Sequence, residues 1–128
     1  MTEPTAQSEL KMWLVVRKDF EIPKGKLAGQ SGHAFEGITR VCLGTTGWRE
    51  TYAKYVEHNT PKIVVVCKNL DALERAEREC IEANILTYKV TDAGRTVFPE
   101  PTVTVMAVGP CYFEQLPKFV QRFQLMKE

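Results

Sequence analysis

The sequence predicts one α/β domain, and three observations predict it. Short apolar, β-branched runs recur along the chain, and stretches with helical periodicity separate most of them. The 128 residues suit one domain and leave little room for a second. A chain of this length hides roughly two thirds of its unfolded surface on folding, so neither a metal nor a disulfide is needed to hold it together.

Residues 1–10 (MTEPTAQSEL) read as a flexible tail, and 11–128 as the folded domain. Residues 12–16 (MWLVV) form an unbroken apolar run closed by Arg17-Lys18-Asp19, the pattern of a strand buried on both faces. Ile22-Pro23 and Gly25 mark a loop into a first helix, with Leu27, Ala34, Phe35, Ile38 and Val41 on its core side. Residues 62–67 (KIVVVC) give a second strand. Asn69 can cap the helix after it, Asp71 and Glu74 put negative charge near its start, and Asn84 can end it in a left-handed conformation. Leu70, Leu73, Ala76, Cys80 and Ile81 form the apolar stripe of that helix. Residues 85–90 are a third strand and 102–108 (TVTVMAV) a fourth, closed by Gly109-Pro110. A last helix is expected over 112–122, with Phe113, Leu116, Phe119, Val120 and Phe123 on one side. The strand–helix alternation implies a partly parallel sheet, whereas the short 92–101 connection favours an antiparallel last pair.

Composition narrows the function classes. The chain is 44% hydrophobic and 26% charged, within the range of an ordinary globular protein, and has no apolar run of transmembrane length. Its opening resembles neither a signal nor a transit peptide, so a cytoplasmic location and no membrane association are expected. Cys42, Cys67, Cys80 and Cys111 contain no C-x-x-C pair, and neither His33 nor His58 stands at a short ligand spacing, so no metal and no cofactor is expected. The net charge of +1 conceals an excess of five positive charges over 11–68 and of three negative charges over 69–84. That balance suits a small phosphorylated ligand or one end of an RNA better than a long nucleic-acid track.

Two clusters carry potential chemistry. Lys26, Gln30 and His33 fall at i, i+4 and i+7 on one stripe of the first helix. Gly29, Gly32 and Gly37 each cost that helix about 1 kcal/mol relative to alanine, which calls for compensation by close packing or by a close ligand. The same stripe also reads as a solvated face, with the glycines merely touching the sheet. The second cluster is Asp92-Ala93-Gly94-Arg95-Thr96 at a strand end, where Asp92 also has the chemistry to cap its own turn. An acid, a lysine, an amide and hydroxyls around one pocket can bind an ester carbonyl and orient a water. No G-x-S-x-G elbow and no glycine-rich phosphate loop is present.

The order M-W-L-V-V-R-K-D, K-G-K-L-A-G-Q-S-G-H-A, K-I-V-V-V-C-K-N, T-D-A-G-R-T and T-V-T-V-M-A-V-G-P resembles the type 2 peptidyl-tRNA hydrolase family of archaea and eukaryotes. The resemblance spans about 11–125. It implies a three-layer α/β/α domain with a four-stranded mixed sheet and a homodimer. The implied activity is metal-free hydrolysis of the ester that joins a peptide, or an N-blocked amino acid, to the terminal ribose of tRNA. By position it implies Lys26, Asp92, Thr96 and Thr104 as the catalytic set. Asp92, paired with Lys26, would orient or deprotonate a water, and Lys26 and Thr96 would stabilise the oxyanion. Gln30 would position the substrate, and His33 would either brace the helix or act directly. Lys18, Lys24 and Arg95 would meet phosphate or ribose at the acceptor end of the tRNA, with Thr102 beside them.

The chain departs from the family pattern at Val97, where glutamine is usual, and at Phe98-Pro99-Glu100-Pro101, where the family has a small Pro-Gly loop. It departs also at Gly32 and at Cys111-Tyr112. These changes bear on substrate choice more than on fold. Two other readings stand beside the tRNA enzyme: a catalytically silent relative that binds or regulates a partner, and a hydrolase of another small ester or amide.

Overall fold

A computed structural model describes residues 9–94 and 98–127. Arg95, Thr96 and residues 1–8 of the expected tail lie outside them. Strand β1 (Lys11–Arg17) is the heart of the fold, and its alternation explains the layers. Trp13 and Val15 point into one core with Leu73, Ala76 and Cys80, while Met12, Leu14 and Val16 point into a second core with Ala34, Ile38 and Tyr55. A strand buried on both faces has no polar positions to spare, hence the unbroken MWLVV run. Leu10 is buried and donates its backbone N–H to Nδ1 of His58 at 2.8 Å.

Helices α1 (Lys24–Gly44) and α2 (Thr46–Glu57) cover the second core, and α3 (Leu70–Glu82) covers the first. The result is the expected three-layer arrangement. Between the helices run β2 (Lys62–Cys67), β3 (Thr87–Asp92) and β4 (Thr102–Cys111). The Asn69 side chain accepts the Ala72 N–H at 3.0 Å, and Asn84 adopts φ 59°, as their positions around α3 predict. The sheet is mixed: β1 pairs with β2 in parallel, and β4 lies antiparallel to both β1 and β3.

Several local expectations are corrected. The sheet has five strands rather than four, in the order β3-β4-β1-β2-β5, because β5 (Gln124–Leu125) adds to the edge of β2. Helix α2 was not expected, since Tyr55 is its one buried residue and its apolar pattern is correspondingly faint. The third strand starts at Thr87 rather than residue 85, and the fourth runs through Gly109-Pro110 to Cys111 with a register shift against β1. The single helix over 112–122 is instead a 3₁₀ turn (Phe113–Gln115) and the short α4 (Lys118–Gln121). Pro117 separates them, because it offers no N–H to a continuing helix. Val41 and Ile81 are exposed, and Cys42 takes the core position of α1 one residue beyond Val41.

Candidate active site

Strands β1, β2 and β3 all run in one direction, so Lys18, Asn69 and Asp92 follow or end strands at the same edge of the sheet. Helix α1 crosses β3 on the side of the second core. On β3, Tyr88, Val90 and Asp92 alternate onto the face that meets α1. At one end of this contact the Tyr88 ring occupies the space a Cβ on Gly37 would need, with ring carbons 2.3 Å from that position. Close packing therefore accounts for Gly37. Gly29 and Gly32 have open space instead.

At the other end of the contact, Lys26 Nζ lies 2.5 Å from Asp92 Oδ2, and Gln30 Nε2 donates to the same oxygen at 3.1 Å. The second carboxylate oxygen, Oδ1, accepts the Gly94 N–H at 2.9 Å. Asp92 thus serves both readings of its sequence context: one oxygen caps its own turn and the other faces the helix stripe. Asp92 is 7% exposed and Gln30 is 9% exposed, so their polar groups depend on one another for hydrogen bonds.

Thr104 completes the chain by donating its hydroxyl to Gln30 Oε1 at 2.7 Å. It reaches α1 because β4 carries an extra residue there: Val90 pairs with Val105 and Thr91 with Val103, leaving Thr104 without a partner between them. Such a bulge breaks the alternation of faces. Thr104 and Val105 can then both face the α1 side, where Val105 joins the second core.

The structure therefore brings Lys26, Gln30, Asp92 and Thr104 together. Arg95 and Thr96 lie outside the described residues. Thr102 is turned to its own loop, where its hydroxyl donates to the Glu100 carbonyl at 2.8 Å. His33 is exposed, and its ring faces Tyr88 with centroids 6.3 Å apart. Lys18 and Lys24 are exposed, one just after β1 and the other at the start of α1. Among the described residues no group of three or more His, Cys, Asp or Glu side chains could hold a metal ion, and no helix is long and apolar enough to cross a membrane. The Gly94 amide escaped sequence reasoning as a site group, although the D-A-G spelling of a turn is its signal.

A carboxylate held by an ammonium, an amide and a backbone N–H is fixed in direction and beside a cation, the geometry needed to orient a water next to a developing negative charge. Residues 10–126 match the family model for peptidyl-tRNA hydrolase PTH2. The chain is 35% identical over 118 residues to a peptidyl-tRNA hydrolase of Sulfurisphaera tokodaii, covering 91% of this chain and 98% of the relative. A peptidyl-tRNA hydrolase of Metallosphaera sedula is 32% identical over 101 residues, covering 79% and 86% respectively. One from Pyrobaculum aerophilum is 30% identical over 119 residues, covering 93% and 99%.

Proposed function

This chain belongs to the peptidyl-tRNA hydrolase PTH2 family, and from that premise we propose that it hydrolyses peptidyl-tRNA at the Lys26–Asp92 cluster. The substrate is the ester between a peptide, or an N-blocked amino acid, and the 3′-terminal ribose. The observation that carries this reading is the buried Asp92 carboxylate shared by Lys26, Gln30 and Gly94.

Asp92 accepts a proton from a water as the water oxygen attacks the ester carbonyl carbon. Negative charge develops on the carbonyl oxygen, where Lys26 Nζ and the Thr96 hydroxyl stabilise it. Collapse of the tetrahedral intermediate breaks the bond to the ribose oxygen, which leaves as a hydroxyl after taking the proton back from Asp92. Gln30, held by Thr104, keeps the carboxylate in place and positions substrate, and His33 braces α1 against Tyr88. Lys18, Lys24 and Arg95, with Thr102 beside them, meet phosphate or ribose of the acceptor end. No step needs a metal. Residues 11–128 make up the catalytic domain. The enzyme works in the cytoplasm, where its substrate is made, and as a homodimer, a reading that rests on the family resemblance and that sedimentation tests.

The deciding experiment follows release of a labelled N-acetyl-aminoacyl group from tRNA in the presence of chelator, with Asp92→Asn beside the parent. The expected result is turnover that survives the chelator and falls at least about 100-fold in the variant. A folded parent without turnover would overturn the reading in favour of a binding role or another ester.

A further inference from the structure

Outside the polar cluster, the best-organised feature near the site is aromatic. Phe20, between β1 and α1, and Phe98, between β3 and β4, pack with ring centroids 4.9 Å apart and planes tilted by 56°. Phe98 is only 9% exposed although it sits in a connection. Behind Phe20 stands Arg17, its guanidinium 4.5 Å from the ring centroid. Arg17 also bonds both carboxylate oxygens of Asp19, at 3.1 and 2.8 Å, and the Val103 carbonyl at 2.9 Å. The guanidinium therefore anchors Phe20 to the ends of two strands. With Arg17 against Phe20 and Phe98 buried, the pair is built to hold a loop rather than to stack a base.

That loop leads back to Asp92. Gly94 has φ +78°, and a Cβ there would fall 2.7–3.0 Å from backbone atoms of Glu100 and Pro101. The two described ends of the β3–β4 connection are thus in backbone contact. Gly94 also donates the N–H that fixes Asp92 Oδ1. A continuous path of contacts runs from Phe20 through Phe98, along Pro99-Glu100-Pro101, across to Gly94 and on to Asp92. Pro99 and Pro101 have little freedom in φ, which makes this path stiff.

We propose that Phe20 and Phe98 form a clasp that holds the Asp92–Gly94 turn in register with α1, making Phe98 a positioning residue for the hydrolysis. The catalytic half of this statement rests on the function proposed above, whereas the clasp itself does not. Loosening the clasp lets Asp92 spend less time aligned with Lys26 without removing any group that binds tRNA. The loss then falls on kcat rather than on KM.

The test compares the parent with Phe98→Ala, Phe98→Leu, Phe20→Ala and the double alanine variant. It reads kcat and KM on N-acetyl-aminoacyl-tRNA, and amide hydrogen exchange at Gly94 and across β1 and β4. For Phe98→Ala, kcat is expected to fall about tenfold with KM within about twofold, and the Gly94 amide to exchange at least about tenfold faster while the strand amides do not change. Phe98→Leu should recover most of both losses, and the double variant should be no worse than either single one, since each breaks the same contact. Phe98→Ala with parental Gly94 protection overturns the clasp, whatever the activity. Lost protection with parental kcat overturns the positioning role. A parent without turnover overturns the proposed function, and Gly94 exchange alone then decides the clasp. If Phe98→Ala does not fold, Phe20→Ala, which removes the other ring of the same contact, supplies the same readings.

Discussion

Asp92 decides which way round Gln30 sits, and the consequence reaches Thr104. A carboxylate accepts but does not donate, so the Gln30 NH₂ must face Asp92, as it does at 3.1 Å. That turns Oε1 of Gln30 toward β4, where the Thr104 hydroxyl has to donate, at 2.7 Å. Polarity runs one way through the chain, from Thr104 through Gln30 to Asp92, and each member has one admissible role.

Thr104→Val keeps the shape and removes the donor. It leaves Gln30 Oε1 buried without a partner, at a cost of about 1–3 kcal/mol, and a thermal melt should show a clear drop. Turnover should fall about tenfold as Gln30 loosens on Asp92. Thr104→Ser keeps the hydroxyl and should retain most of both properties. Parental stability in the valine variant would show that Thr104 is not the donor.

Lys26 separates charge from shape. Lys26→Met keeps a stem of similar length without the ammonium 2.5 Å from Asp92. On the proposed mechanism kcat falls at least about 100-fold, because the charged one of the two groups that stabilise the oxyanion is gone. Lys26→Arg keeps the charge, but its planar fork is larger than an ammonium and cannot occupy the same spot. It should lie between the parent and the methionine variant in single-turnover rate.

The parts legible in the sequence are those set by local chemistry. The 62–67 strand, the Asn69 cap, the left-handed Asn84 and the helical spacing of Lys26 and Gln30 all follow from residue types at short separations. The bulge at Thr104 is different in kind. Strict alternation would put Thr104 and Val105 on opposite faces, and only the pairing of β4 with β3 shows that they share one. Helix α2 gives little signal because it buries a single tyrosine, and β5 is two residues long and defined by its pairing with β2. The contact of Phe20 with Phe98 joins residues far apart in the chain, and no pattern within either segment announces it.

The glycines of α1 divide into two kinds. Gly37→Ala would drive a methyl group into the Tyr88 ring, and displacing that ring should cost about 1–3 kcal/mol. Gly29→Ala and Gly32→Ala meet open space, so each should stabilise the protein by up to about 1 kcal/mol through helix propensity alone. Denaturant unfolding reads all three. Activity then tells what the bare backbone is for: a stabilised Gly29→Ala with raised KM would show that substrate approaches α1 there, whereas unchanged kinetics would rule that out.

The four thiols give a pH dependence whose sign is fixed. All four cysteines are free and buried, and burial pushes Cys42 and Cys67 up to about 11 and Cys80 and Cys111 up to about 12, from an ordinary value of 9.0. Well below pH 9, up to about pH 8, both folded and unfolded chains hold nearly all of these protons, so the thiols add little slope. Above pH 9 the unfolded chain releases protons that the folded chain retains, and stability falls as pH rises. Each thiol contributes up to about 1.4 kcal/mol per pH unit until its own folded value is reached. Melting temperature should therefore be nearly flat with respect to the thiols from pH 7 to 8 and drop steeply between pH 9 and 10. Cys80→Ala should lose about a quarter of that drop, because one of four equivalent groups is gone. In the same window a thiol reagent should label the native protein far more slowly than the unfolded chain, since the reactive thiolate forms almost only after unfolding. Rapid native labelling at pH 8 would contradict the burial of these residues and remove the basis for the slope.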